Sequence, residues 1–247
     1  MDRAGPAAPE VAEHVLAPAK LTLSLRIAGV RDDGFHLIDA EMVTLDLFDE
    51  LWLTPAAETT ITVDGQPDLE VDASNLVARA LALAGRPAHV RLLKRIPAGA
   101  GLGGGSADAA AALRWCGYDD VVGAAGIGAD VAFCLVGGRA LVRGMGEIVE
   151  PQPFVAQTFT LLTPELHCPT PAIYARWDAL GGPTGPRGND LEAAAVDFEP
   201  RLALARDELG EATGRQPRLA GSGSTWFVEG AYPGPGRVVA TTIPASQ

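Results

Sequence analysis

The sequence predicts an α+β protein, and three stretches carry that prediction. Residues Lys20 to Ile27 alternate strictly between apolar and polar, a glycine-rich segment joins a strand to an alanine-rich helix around Gly99–Ser106, and a double-proline break at Glu150–Pro153 precedes a second run of strands and helices. The elements follow in order.

Residues 1–13 are rich in Ala, Pro and Glu without periodicity and read as a disordered leader outside the fold. From Lys20 onward, Leu21, Leu23, Leu25 and Ile27 are expected on one face of a half-buried strand and Lys20, Thr22, Ser24 and Arg26 on the other. Asp32, Asp33 and Gly34 make a turn. Val43–Phe48, Leu51–Thr54 and Thr60–Val63 read as further strands separated by polar or proline-containing breaks. A helix is expected over Asn75–Ala84, capped by Ser74 and ended by Gly85, followed by a strand over Val90–Ile96. Ser106 is the expected N-cap of the helix that runs to about Trp115. A short apolar helix over Val131–Val136, a Gly137–Gly138 break and a strand over Ala140–Arg143 complete the first half.

The break at 150–153 sets the expected domain boundary, giving 14–153 and 154–247. The second half offers a strand over Phe159–Thr163 and helices over Pro171–Leu180 (with Thr170 as cap), Asp190–Val196 and Arg201–Glu211. A strand over Thr225–Val228 follows a glycine-bearing turn.

Composition narrows the functional classes. With 47% hydrophobic residues in 247, the chain can bury a substantial core. A net charge of -12 argues against general nucleic-acid binding, so an anionic ligand needs a local positive site. The three cysteines, Cys116, Cys134 and Cys168, suggest neither a disulfide framework nor a zinc site. No apolar run is long enough to span a bilayer and no secretory signal opens the chain, so a cytoplasmic protein with no membrane partner is expected. Of 19 basic residues only Lys20 and Lys94 are lysine, which singles both out in a chain that otherwise writes arginine.

The segment IPAGAGLGGGSADAAAAL places five glycines in the seven residues Gly99–Gly105 between a strand and a helix. Glycine lets several backbone N–H groups converge on one anion, and a helix N-terminus adds about half a positive charge. A polyphosphate fits that arrangement. A Walker A loop is excluded because no lysine precedes Ser106. Gly99, Gly101 and Gly104 match the dinucleotide fingerprint, with Asp119 and Asp120 near the distance of a ribose-binding acid. However, Pro97 and Ala98 intervene after the strand, and RWCGYDD does not read as a second one. What remains is a loop that wraps the phosphates of ATP and hands them to the following helix. Asp130, at the start of the short apolar helix, is a candidate acid, although spacing alone leaves a helix cap equally open. Asp108, in the first turn after the loop, is accounted for as a complement to the helix dipole.

Pro97 to Ala107 has the form P-x-x-x-G-L-G-S/G-S/G-S-A/S and so resembles the central motif of the GHMP kinase superfamily. Pro18, Ala19 and Lys20 and the turn Gly221, Ser222 and Gly223 resemble its flanking motifs. APAKLTLSL, DDGFHLI, SNLVARAL, IGADVAFCLVGG, CPTPAIY and LAGSGSTWFV extend the resemblance to the branch whose acceptor alcohol carries a cytidine diphosphate, over nearly all of Ala17–Val228.

The resemblance implies a two-domain fold, with an N-terminal domain like ribosomal protein S5 domain 2 and a ferredoxin-like C-terminal domain. It implies an ATP- and Mg²⁺-dependent small-molecule kinase, monomeric or homodimeric, with no nucleic-acid partner. ATP would lie on Pro97, Ala98, Gly99, Ala100, Gly101, Leu102, Gly103, Gly104, Gly105, Ser106 and Ala107, with Asn75 at the adenine and Ser106 also a candidate Mg²⁺ ligand. Lys20 and Asp130 would be the catalytic pair, and Thr22, Phe35, His36 and Thr170 would contact the acceptor, Phe35 and His36 at its cytosine. Kinases of the homoserine or mevalonate type, and a weakly catalytic nucleotide-binding relative, are the alternatives.

The chain departs from the family pattern at four places. Thr22 stands for the usual Asn, Phe35 for Tyr and Ala107 for Ser, and only about a dozen residues separate Trp115 from Gly128 where a further helix is usual, which is expected to abbreviate the wall near the phosphates.

Overall fold

The computed structural model describes residues 11–65, 74–185 and 187–245. Of the expected leader, residues 1–10 lie outside the described residues, and Glu13 already begins strand β1 (Glu13–Val30). β1 pairs antiparallel along its length with β2 (His36–Pro55), which is one continuous strand where two were expected. The polar pair Asp49–Glu50 that suggested a break lies inside it. Asp49 is fully buried and its Oδ1 accepts from the backbone N–H groups of Arg95 and Ile96, so its polarity is satisfied without ending the strand.

The first sheet continues through β3 (Thr60–Asp64), β4 (Ala88–Leu93), β5 (Arg139–Gly144) and β6 (Ile148–Gln152). Its order is β3-β4-β2-β5-β6, with β1 on β2 and only β3–β4 parallel. β6 occupies the stretch read as a linker, and its Pro151 is tolerated because β6 is an edge strand.

Register along β1 shifts between Pro18 and Lys20 and again between Thr22 and Ser24. Each shift changes which face a side chain meets. The expected single apolar face is therefore divided. Leu21 and Leu23 pack in a core with Leu45, Phe159 and Phe227, whereas Leu25 joins the core beneath the helices. Lys20 and Thr22, bracketed by the two irregularities, are buried rather than forming a solvated polar face.

Helices α1 (Leu76–Leu83), α2 (Gly104–Trp115), α3 (Val121–Ala125) and α4 (Ala129–Val136) belong to this half. α2 packs against α1, α4 and β1 together, and Ala107 and Ala109–Ala112 are all buried. Alanine is the apolar side chain that lets three neighbours approach one helix, which explains the alanine-rich stretch. Asn75, not Ser74, caps α1, its side chain accepting from Val77 N–H at 2.9 Å.

The second sheet contains β7 (Thr158–Leu162), β8 (Arg218–Leu219), β9 (Trp226–Glu229) and β10 (Arg237–Thr241), paired antiparallel in the order fourth, first, third, second. That is the strand order of a ferredoxin-like sheet, with a turn between β9 and β10 in place of a helix. Helices α5 (Thr170–Ala179), α6 (Glu192–Phe198) and α7 (Leu202–Thr213) lie between β7 and β8. The α+β expectation holds, and the two sheets share the core containing Leu21, Leu45, Phe159 and Phe227.

Candidate active site

The glycine loop is held from both halves. Leu102 C=O accepts from Lys20 N–H at 3.0 Å, and Ala100 C=O accepts from Thr225 N–H at 3.1 Å. Two glycines are dictated by these contacts. Gly101 has φ +77°, and a Cβ there would lie 2.4 Å from Ala220 O. Gly103 has φ +68°, and its Cβ would lie 2.7 Å from Lys20 Cγ. Gly103 in this left-handed conformation is the N-cap of α2, so the helix starts before Ser106, which stands in its first turn rather than capping it. The backbone N–H groups of that turn border a cavity of 450 Å³, lined by Asn75, by Pro97 to Ser106 except Leu102, and by Asp108, Asp130, His167 and Thr170. Leu102 and Ala107 are turned into the core, 1% and 0% exposed.

Lys20 and Asp130 meet. Lys20 Nζ lies 3.2 Å from Asp130 Oδ2 and donates to Thr22 Oγ1 at 3.0 Å. Asp130 is the second residue of α4, whose N-cap is Gly128, so its carboxylate is not spent on capping. Its side chain is 33% exposed, against 5% for the Lys20 side chain.

Beyond this pair lies a second cavity of 750 Å³, lined by Lys20, Thr22, Phe35, His36 and Thr170 among others. Asp130 and Ser106 border both spaces. The four expected acceptor contacts therefore share one cavity with the two expected catalytic residues. Thr170 does not cap α5. Thr170 is the first residue of the helix, the N-cap position is held by Pro169 without a side-chain cap, and the Thr170 hydroxyl pairs with Ser222 Oγ at 2.9 Å. The turn bearing Ser222 is fixed by Asn189, whose Nδ2 donates to Leu219 O at 2.9 Å and Gly221 O at 2.7 Å.

Sequence reasoning missed the partners that α5 gives His36. His36 Nε2 pairs with Asp178 Oδ1 at 2.8 Å, and the imidazole lies 4.7 Å from the Tyr174 ring and 5.6 Å, edge-on, from that of Trp177. Burial, with Asp130 nearby adding to it, raises the Tyr174 phenol above the ordinary tyrosine value. These contacts span more than a hundred residues of sequence; the only local signal was helical spacing, i, i+3 and i+4, on α5. Phe35 is 59% exposed at the rim. The abbreviated stretch after Trp115 folds as α3, capped by Asp120, and Ala125 to Gly128 border the acceptor-side cavity rather than the loop cavity. The expected thinning of the phosphate wall is therefore not where that stretch lies.

Lys94 is also placed by chemistry rather than chance. Its Nζ donates to Asp108 Oδ2 at 2.7 Å and pairs closely with Asp49, all three side chains being almost wholly buried beneath the loop, with Lys94 and Asp108 at the floor of the loop cavity. Asp108 is thus a buried ion-pair member rather than a dipole complement. Burial, and secondarily the neighbouring Asp49, outweigh Lys94 and push its carboxyl up to about 7. Burial would lower Lys94, but the two carboxylates more than offset it and its value is raised. The cysteines are free, and burial pushes the Cys134 thiol up to about 12, which makes it inert.

Two such sheets, with a glycine loop feeding the N-terminus of a buried helix, define a kinase of the GHMP class. The family of GHMP kinases N terminal domains matches residues 71–138. A 4-diphosphocytidyl-2-C-methyl-D-erythritol kinase of Paracoccus denitrificans (strain Pd 1222) is 38% identical over 231 residues, 85% of this chain and 84% of that protein. The crystal structure of a 4-(cytidine 5'-diphospho)-2C-methyl-D-erythritol kinase superposes with a TM-score of 0.72 at 31% identity, covering 93% of this chain and 98% of that one. The chain belongs to the 4-diphosphocytidyl-2-C-methyl-D-erythritol kinase family. A putative homoserine kinase thrB from Listeria monocytogenes, 18% identical with a TM-score of 0.58 over 94% of this chain and 98% of that one, shares the fold.

Proposed function

We propose that this chain transfers the γ-phosphoryl group of ATP to the 2-hydroxyl of 4-diphosphocytidyl-2-C-methyl-D-erythritol, a step in isoprenoid precursor synthesis. The observation that carries this reading is the Lys20–Asp130 pair at the seam between two cavities, one walled by the glycine loop and the other by His36 and Tyr174. A phosphoryl donor in the first and an alcohol in the second would meet at that pair, and such catalysis consists almost entirely of holding both reactants in line and stabilising the charge on the transferring group. Asp130 receives the hydroxyl proton as the oxygen bonds to the γ-phosphorus and the bond to the β-phosphate oxygen breaks, releasing ADP. Lys20 holds Asp130 in place and offsets charge that develops on the transferring group.

The nucleotide's phosphates lie against the backbone N–H groups at the start of α2, with Asn75 beside the adenine. His36 and Phe35 receive the cytosine, and Thr22 and Thr170 complete the acceptor wall. On this reading residues 14–153 form the nucleotide-binding domain and 154–247 the domain that supplies α5. Mg²⁺ fits the residues present. No group of three or more His, Cys, Asp or Glu gathers among the described residues, and Mg²⁺ bound to a nucleotide needs only one or two protein ligands besides the phosphates. The Ser106 hydroxyl and the Asp130 carboxylate, which border both cavities, would hold it. When bound it supplies charge neutralisation on the phosphates. No helix of the described residues is long and apolar enough to cross a membrane, and the acidic surface suits a cytoplasmic enzyme of small metabolites.

Purified protein incubated with Mg-ATP and a panel of alcohols, with ADP release followed, tests the proposal. Turnover is expected with 4-diphosphocytidyl-2-C-methyl-D-erythritol. Turnover confined to homoserine or mevalonate, or none with the cytidyl alcohol, overturns it.

A further inference from the structure

The loop cavity has a shortage of positive charge. Asp108 and Asp130 both line it, Lys94 lies between Asp49 and Asp108, and Lys20 is matched by Asp130. Lys94 is matched by its two carboxylates and Lys20 acts at the transferring group, so beyond the nucleotide's own Mg²⁺ the rest of the phosphate chain meets few cations, and the partial charge of a helix N-terminus is only about half a unit. Among the described residues a further nitrogen-bearing side chain that can donate to a phosphate faces this space. His167, in the segment between β7 and α5, lines the loop cavity but not the acceptor-side cavity. Its Nδ1 lies 3.7 Å from where a Cβ on Gly99 would stand, so the imidazole sits beside the first glycine of the loop, at the wall of the cavity.

The backbone around His167 is anchored while its side chain is exposed. Cys168 beside it is 3% exposed, and the Ser224 hydroxyl donates to Pro164 O at 3.1 Å. Among the described residues no carboxylate pairs with His167, unlike the two lysines and unlike His36, which pairs with Asp178.

We propose that His167 is a ligand for the phosphate chain of the bound nucleotide, closing the loop cavity from the side of the second half. An imidazole N–H donates to a phosphate oxygen in either protonation state, and the contact strengthens when the ring is charged. The assignment is to ATP rather than to the diphosphate of the acceptor because His167 borders only the loop cavity. It rests on the kinase reading above and adds to it a nucleotide contact that lies outside the glycine motif.

The test is calorimetric binding of ATP, ADP and AMP to the wild-type chain and to His167→Ala and His167→Lys, alongside steady-state kinetics. His167→Ala should weaken ATP about tenfold, the scale of a hydrogen bond to a charged group, while AMP is unchanged and His167→Lys recovers most of the loss. The KM for ATP should rise by the same factor, with the KM of the acceptor unmoved. Equal ATP affinity in wild type and His167→Ala, or an equal loss for AMP and ATP, overturns the proposal. Wild-type protein that binds none of the three nucleotides overturns both the proposal and the kinase reading. Nucleotide binding without transfer to the cytidyl alcohol overturns only the assigned acceptor, and His167 is then judged on the ATP-to-AMP binding ratio.

Discussion

Lys20 and Lys94 stand on opposite sides of the glycine loop, and they are nearly equally buried, at 4% and 6% exposure. Their counter-ions differ. Lys20 faces Asp130, whose side chain is 33% exposed and opens onto both cavities, whereas Lys94 faces Asp49 and Asp108, 0% and 2% exposed. A lysine paired with an accessible carboxylate can exchange charge with a ligand. One held between two buried carboxylates is neutralised by them, and it ties β2, the end of β4 and the second turn of α2 together beneath the loop. Burial of a lysine is thus a weak indicator of chemistry; the accessibility of its partner separates the two roles.

The sharpest way to break this comparison is to remove each lysine in turn. Lys20→Ala and Asp130→Asn should each lower kcat by about 10³-fold, within the usual range for loss of a positioned acid–base group, while thermal unfolding stays close to wild type. Loss of the fold in either variant, or retained turnover, would show that the accessible pair is not the reacting one. Lys94→Met should act the other way. It leaves Asp49 and Asp108 buried without a cation, so denaturant unfolding should report a loss of about 3–5 kcal/mol. A Lys94→Met protein of unchanged stability would remove the structural role.

The two lysines also mark what the sequence could convey. Their scarcity made both conspicuous, but no local pattern said which served the site. Asp130 lies 110 positions from Lys20 and on spacing alone could have been a helix cap; only the family motifs joined the two. The alternation over Lys20–Ile27 was legible as a strand, yet the register shift after Thr22 was not, because apolar residues on both sides of it face a core, first one and then the other. Asp49 read as a strand break because its satisfying groups, Lys94 and the backbone at Arg95 and Ile96, are more than forty residues away. Ser106 read as a cap because serine is good at capping, whereas the left-handed Gly103 starts the helix three residues earlier. The existence of the glycine loop was legible, since glycine density is a backbone requirement written locally, but its end was not, because Gly104 and Gly105 already belong to α2.

A smaller effect tests the sealed side through pH. Folding raises the Asp108 carboxyl from its ordinary 3.8 to about 7, chiefly by burial. Between those values the folded state holds a proton that the unfolded state has released, so this group makes stability fall as pH rises from 4 towards 7 and leaves its full penalty above that. Asp108→Asn keeps an oxygen for Lys94 and cannot ionise. Its unfolding midpoint should match wild type near pH 4 and exceed it at pH 8. The same difference at both pH values would show that Asp108 does not titrate in this window.

The smallest expected effect lies on the accessible side. Thr22 Oγ1 accepts from Lys20 Nζ at 3.0 Å, a second anchor beside Asp130. Thr22→Val keeps the shape and removes the acceptor, and because a typical hydrogen bond contributes about 1 kcal/mol net, kcat should fall only about fivefold. Thr22→Asn, which restores an acceptor oxygen on a longer side chain, should keep most of the wild-type rate. Steady-state assays of both variants distinguish the two anchors. A Thr22→Val loss as deep as that of Asp130→Asn would mean that the hydroxyl, and not the carboxylate, sets the position of Lys20, and the division between an accessible and a sealed lysine would then have to be drawn through Thr22 instead.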